Sequence, residues 1–305
     1  MSQVLVLSRH AAAYADPIIA AGIDAQCFAT LEEALPHTEM AEILFGAPDL
    51  LAAALPHCPN LRWVQSSWAG VKPLAANPRR DYLLTGVKEL FGAPMSEFVL
   101  GWLLALERRI PERYHAQRWD DSSDGTVQGK TIGIMGTGSI GVAVAASCQA
   151  MGMSTRGLNT TGKPVAPFQD CWPLAQRLEF ADKLDYLLAL LPDTEETDGL
   201  VDEALLGRLN PGTILINGGR GNAVVLPDVL SALDSGILRH AVLDVFSEEP
   251  VPDDSPLWQV PGLSITSHTA APTPQAAIVE IFCENYRRYR AGEALLYPID
   301  LDRGY

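Results

Sequence analysis

The chain has 305 residues, 48% of them hydrophobic, enough for one large or two ordinary domains with substantial cores. A formal net charge of -15 argues against nucleic acid or an anionic membrane as the main partner and fits an acidic soluble enzyme. The five cysteines (Cys27, Cys58, Cys148, Cys171, Cys283) are odd in number and form no Cys-x-x-Cys pair, so they read as buried thiols in a reducing cytoplasm and not as disulfides or a zinc site.

The opening residues carry no basic stretch and no cleavage site, and residues 4–7 read as a first β-strand. No apolar run reaches the length of a membrane span. Strands are predicted over 42–45, 62–65 and, more briefly, 83–85, with an Ala-rich helix over 49–55 closed by Pro56. Ser96 is suited to cap a helix over 97–110 that Pro111 stops, and the polar stretch 120–129 reads as a surface loop. A second α/β unit begins at Lys130, with strands predicted over 131–135, 153–158, 184–190, 213–217, 241–245 and 263–266. Six strands separated by helices match a doubly wound dinucleotide-binding domain. A last helix, 275–290, is long enough to return to the first domain. The expected fold class is α/β, with two doubly wound parallel-sheet domains. A Rossmann NAD(P)-binding domain over 98–270 is inserted in a flavodoxin-like substrate domain made of 1–97 and 271–305.

Gly136-Thr-Gly-Ser-Ile-Gly141 matches G-x-G-x-x-G. The motif is weak alone, but here it follows a predicted strand and opens a helix, the context of a dinucleotide fingerprint. Gly136 permits a tight turn, Gly138 lets backbone amides approach a pyrophosphate, and Gly141 lets the helix pack on the strand. The helix is predicted over 140–151, with Ser139 just before it and Ile140 opening it, and its amino terminus favours anionic phosphates. An acidic residue about twenty positions on would bind the NAD ribose. Asn159 stands there instead, in Arg156-Gly-Leu-Asn-Thr-Thr-Gly-Lys163. No acid repels a 2′-phosphate, and Thr160, Thr161 and Lys163 could hold one, so NADP(H) is expected in preference to NAD(H). The competing reading makes Lys163 a solvated loop charge.

Three polar residues follow three late strands: Arg220 in Asn217-Gly-Gly-Arg-Gly221, Glu249 after 241–246, and His268 after 263–267. Ligands of open parallel sheets bind outside the carboxyl ends of the strands. A cation, an acid and an imidazole at that edge can bind a carboxylate and move a proton.

Taken in order, Gly136–Gly141, Asn217–Gly221, Asp244-Val-Phe-Ser-Glu-Glu-Pro250 and Thr266-Ser-His-Thr-Ala270 resemble the D-isomer-specific 2-hydroxyacid dehydrogenase family over nearly the whole chain. The ending Asp300-Leu-Asp-Arg-Gly-Tyr305 and the Ser255-Pro-Leu-Trp258 stretch are similar to the bacterial glyoxylate/hydroxypyruvate reductase A branch, which prefers NADPH. The resemblance implies reduction of a small 2-keto acid, with His268 giving the proton, Glu249 orienting the ring and favouring its charged form, and Arg220 gripping the substrate. Backbone amides of Ala69, Gly70 and Val71 would hold the substrate carboxylate, and Trp68 would wall the pocket. Asp244 would meet the nicotinamide carboxamide. Leu191, Pro192, Thr197, Gly218, Gly219, His268 and Ala270 would line the cofactor, no metal is required, and the protein would be a homodimer. Two positions depart from the family pattern: Ser267 replaces the usual Pro before the His, and Lys72 stands where many members have Asp. A D-lactate-type or phosphoglycerate-type dehydrogenase and a nucleotide-sensing corepressor-like scaffold are the alternatives.

Overall fold

Five short strands form the sheet of the first unit: β1 (Gln3–Leu7), β2 (Ala25–Phe28), β3 (Ala41–Gly46), β4 (Trp63–Ser66) and β5 (Leu83–Thr85). In the computed structural model, which describes residues 3–301, they are all parallel in the order β2-β1-β3-β4-β5. This is the flavodoxin-like order. The inner strands are covered on both faces, so β1 and most of β3 read as apolar runs, while β4 carries the buried polar residues Gln65 and Ser66. β2 was not expected, because Ala-Gln-Cys-Phe is an edge strand without a long apolar run. The helix expected over 49–55 is Pro48–Ala54, with Pro48 in its first turn, and the chain continues as a 3-10 turn, Leu55–His57, that contains Pro56.

The chain forms two compact units, one built from residues up to Leu90 and from Thr273 onward, and a second, Phe91–Pro272. The closing helix Gln275–Ala291 therefore belongs to the first unit. Its Phe282 is fully buried and stacks on Phe45 at 4.5 Å and Trp63 at 5.6 Å, while Asn285 Nδ2 donates to Gln65 Oε1 at 2.9 Å. The helix expected to start after Ser96 is Gly92–Glu107 instead. Pro94 lies in its first turn, where no N–H is needed, and Ser96 Oγ donates to Gly92 O at 2.8 Å from inside the helix. That early start moves the beginning of the second unit from residue 98 to Phe91.

The second sheet has seven parallel strands: β6 (Thr131–Met135), β7 (Ser154–Asn159), β8 (Asp170–Pro173), β9 (Tyr186–Ala189), β10 (Thr213–Asn217), β11 (Leu238–Leu243) and β12 (Leu263–Ile265). Their order is β12-β11-β10-β9-β6-β7-β8, so strand order reverses on either side of β6. Ligands of doubly wound sheets bind at such a switch point. β8 is the strand absent from the expected six, a short edge strand ending in Pro173. β11 begins three residues early because its polar residues have partners. Arg239 Nη2 bonds Glu107 Oε1 at 2.7 Å, and His240 Nε2 lies 2.9 Å from Ser264 Oγ.

One core contains Val99 and Leu103 of the Gly92–Glu107 helix with Val144, Ala145 and Cys148 of the Ser139–Ala150 helix; another contains Leu205, Val229 and Ala232. All five cysteines are free, but only Cys58 and Cys148 are buried, where burial pushes their thiols up to about 11 and about 12. The other three are half-buried, against expectation. No described helix is long and apolar enough to cross a membrane, and among the described residues no cluster of three or more His, Cys, Asp or Glu could hold a metal ion.

Candidate active site

β6 hands the chain to Gly136, whose φ of +111° favours glycine, and a Cβ there would approach Leu190 O to 2.6 Å. Gly138 caps the Ser139–Ala150 helix, and a Cβ on it would meet nothing within 4 Å, so the space before the helix is open. A Cβ on Gly141 would overlap the Gly136 carbonyl. Among the described residues the amides from Thr137 to Gly141 donate to no protein acceptor. An open cradle of free N–H groups at the positive end of a helix fits a dinucleotide pyrophosphate.

Asn159 ends β7 and builds the turn after it. Its Oδ1 accepts from the amides of Thr161 (3.1 Å) and Gly162 (2.7 Å), and Nδ2 donates to Lys163 O (3.0 Å) and Thr137 Oγ1 (3.2 Å). The side chain ties this turn to the glycine loop and leaves Thr160, Thr161 and Lys163 exposed around it. After β9, Leu191 is buried and Pro192 exposed. The buried Thr197 hydroxyl donates to Pro192 O at 2.6 Å and accepts from the Thr194 amide at 3.1 Å, so it folds its own loop.

Arg220 follows β10 in an extended conformation and is half-buried. Its Nη1 donates to Gly219 O at 2.7 Å, and among the described residues its other guanidinium N–H groups meet no acceptor. Glu249 Oε1 accepts from the Phe246 amide at 2.9 Å, and Oε2 lies 2.9 Å from His268 Nδ1. His268 Nε2 has no protein partner among the described residues, and the side chain is 52% exposed. Nε2 is therefore the nitrogen free to serve a substrate. A cavity of about 490 Å³ beside this pair is lined by Asp244, Glu249, Trp258, Thr266 and His268 among others.

His268 has φ +55°, a left-handed conformation costing a non-glycine residue roughly 1 to 2 kcal/mol. Asp244, 2% exposed, holds it there. Oδ1 accepts from Thr266 Oγ1 (2.5 Å) and the Thr269 amide (2.8 Å), Oδ2 from the Ala270 amide (3.0 Å), and the Asp244 carbonyl from the His268 amide (2.8 Å). The turn is thus fixed by a buried carboxylate, with Ser267 exposed where the family carries proline. Both carboxylate oxygens of the residue expected to meet the cofactor face this turn.

In the first unit, β4 leads into the loop 67–71 at the carboxyl edge of its own sheet. Ser66 Oγ accepts from the Trp68 amide at 3.0 Å and donates to Trp68 O at 2.8 Å, while Val71 is buried. Among the described residues the amides of Ala69, Gly70 and Val71 donate to no protein acceptor, and Trp68 is 43% exposed. Ser66, Asn217, Thr266 and the Phe246 amide carried no expectation from sequence. Their part depends on where a turn aims a side chain or an N–H, and short spacing rules do not encode that.

A profile of the D-isomer specific 2-hydroxyacid dehydrogenase NAD binding domain matches residues 100–270. The chain belongs to the D-isomer specific 2-hydroxyacid dehydrogenase family. The glyoxylate/hydroxypyruvate reductase A of Klebsiella pneumoniae is 36% identical over 217 residues, 70% of each chain. A structure of a D-isomer specific 2-hydroxyacid dehydrogenase family protein from Aeromonas salmonicida superposes with a TM-score of 0.91 at 36% identity, covering 99% of both chains. The NADPH-dependent glyoxylate/hydroxypyruvate reductase of Sinorhizobium meliloti, solved with NADP and sulfate, superposes with a TM-score of 0.88 at 28% identity, covering all of both chains. This dehydrogenase is an NAD(P)-dependent oxidoreductase with a Rossmann nucleotide-binding domain. Residues 302–305 of the branch-like ending lie outside the described residues.

Proposed function

We propose that the protein reduces small 2-keto acids, glyoxylate and hydroxypyruvate first, to 2-hydroxy acids with NADPH, using His268 as the proton donor. The observation that carries this reading is the 2.9 Å His268–Glu249 pair with Nε2 left free. When bound, the reduced nicotinamide supplies the hydride to the keto carbon. His268 Nε2 gives its proton to the carbonyl oxygen as negative charge develops there. Glu249, itself pinned by the Phe246 amide, keeps Nδ1 occupied and the ring oriented. Arg220 offers its free guanidinium N–H groups to the carboxylate and carbonyl oxygens, stabilising that charge. We assign nucleotide binding, and the substrate chemistry of Arg220, Glu249 and His268, to the second unit. The free amides of residues 69–71 are a further anion-binding feature in the first unit, and the family resemblance assigns them, with Trp68, to the substrate.

A panel of 2-keto acids assayed with NADPH and NADH tests the proposal, and glyoxylate and hydroxypyruvate should have the highest kcat/KM. A strong preference for a bulky aromatic keto acid would overturn the substrate assignment. Glu249→Gln removes the carboxylate whose Oε2 lies 2.9 Å from Nδ1, so the ring loses the partner that orients it and kcat/KM for keto-acid reduction should fall while KM for NADPH changes little. An unchanged kcat/KM would mean that Glu249 does not act through His268.

Preference for NADPH is supported by the carboxylate-free end of β7 and by the NADP-bound S. meliloti relative. In Asn159→Asp the two amide-accepting bonds of Oδ1 can persist, and the new charge opposes a 2′-phosphate. The ratio of kcat/KM values should swing toward NADH. A parent enzyme that already favours NADH would make Lys163 an ordinary surface lysine. The exposed Tyr114 (83%) and Trp119 (92%), after the Gly92–Glu107 helix, support a homodimer formed through the second unit. Five free thiols support a reducing, cytoplasmic setting.

A further inference from the structure

We propose that Asn217 is a positioning residue for Arg220, setting the direction of the guanidinium through a two-bond clasp across its turn; this rests on the reading of Arg220 as the keto-acid anchor. Asn217 is the last residue of β10 and is fully buried. Its amide does not reach across the sheet. Oδ1 accepts from the Gly219 amide at 3.1 Å, and Nδ2 donates to the Arg220 carbonyl at 3.0 Å. Those bonds hold the groups flanking the peptide between residues 219 and 220. The carbonyl of that peptide is the one to which Arg220 Nη1 donates at 2.7 Å. Rotating the peptide would therefore swing the guanidinium with it.

The surroundings leave that rotation as the main freedom of the turn. The Gly218 amide is held by Ala189 O at 3.1 Å. A Cβ on Gly219 would come 2.7 Å from the Leu191 amide nitrogen, and one on Gly221 would overlap the Phe246 carbonyl carbon. The turn is wedged between the ends of its neighbouring strands, and Asn217 closes what the wedge leaves open. Only an amide side chain of this length offers one acceptor and one donor on the same face. Aspartate would keep the bond to Gly219 and set an oxygen against the Arg220 carbonyl. The Asn217 carbonyl also accepts from the Asp244 amide at 3.0 Å, so the clasp sits beside the residue that holds the His268 turn.

The test is a double-mutant cycle read with glyoxylate and NADPH. Asn217→Ala should lower kcat/KM by about 10- to 100-fold, with a raised KM for glyoxylate, since misplacing a binding group by an ångström is of that order. NADPH affinity, followed by nucleotide fluorescence, should change little. Oxamate, a carboxylate that cannot be reduced, should bind more weakly to the variant holding NADP+, as measured by calorimetry. In an Arg220→Ala background the same Asn217 change should add little further loss. Equal losses in both backgrounds would make Asn217 merely structural and overturn the inference. A normal Asn217→Ala enzyme beside a crippled Arg220→Ala enzyme would sink the inference alone. Normal kinetics in Arg220→Ala would sink the reading of Arg220 and the inference with it. Should Asn217→Ala fail to fold, the nearly isosteric Asn217→Asp carries the same cycle with the same expected non-additivity.

Discussion

Replacing His268 with alanine should lower keto-acid reduction by about 10² to 10⁴, the usual contribution of a positioned general acid, while NADPH binding survives. The separation is expected from the distribution of parts. The open cradle at residues 136–141 and the turn built by Asn159 lie on β6 and β7, and the imidazole lies after β12 at the far end of the sheet order. Stopped-flow reduction measures the first quantity and nucleotide fluorescence titration the second. Full activity in the variant would remove His268 from the mechanism. A protein that no longer binds nucleotide would mean that the turn around His268 also shapes the nucleotide site.

Asp244→Ala should impair both stability and activity. The carboxylate is 2% exposed and accepts from the Thr266 hydroxyl and from the amides of Thr269 and Ala270. Truncation leaves these donors unmatched, at about 1 to 3 kcal/mol each where water cannot reach them. A total of about 3 kcal/mol would lower the thermal midpoint by roughly 6 °C or more. His268 also loses the scaffold of its left-handed conformation, so kcat should fall although the imidazole remains. Unchanged melting and kcat with weakened nucleotide binding alone would restore Asp244 to the cofactor carboxamide, the role that the family resemblance implies.

The parts of this architecture that could be read from sequence share a physical cause. β6 and β10 lie inside the second sheet, are apolar along their length, and have the bounds expected for them. β2 and β8 were not legible because an edge strand needs only a half-covered face, which Ala-Gln-Cys-Phe and Asp-Cys-Trp-Pro supply without a periodic pattern. β11 reads short because Arg239 and His240 interrupt its apolar run, and only tertiary structure reveals Glu107 and Ser264 as their partners. At the site, Arg220, Glu249 and His268 stood out because charged groups just past buried strands are unusual. The structure brings Glu249 and His268 into direct contact and leaves Arg220 in its own turn. The parts that aim them were invisible for the opposite reason. Asn217 carried no expectation and Asp244 was expected at the nicotinamide carboxamide, because the work of both depends on which way a turn folds back.

The stacking of Phe282 on Phe45 and Trp63 bears on how the polypeptide is made. Translation delivers β1 to β5 first, but the aromatic lid of their sheet emerges only after all of residues 91–272. Until then Phe45 and Trp63 lack the ring that stacks on them, and Gln65 keeps its bonds to Ser66, Thr85 and Gly86 but lacks Asn285. A nascent chain must carry an open, sticky sheet while the inserted unit, whose residues are contiguous, is free to fold on the ribosome. The amino-terminal third should thus be the last part to mature and the part most in need of a chaperone.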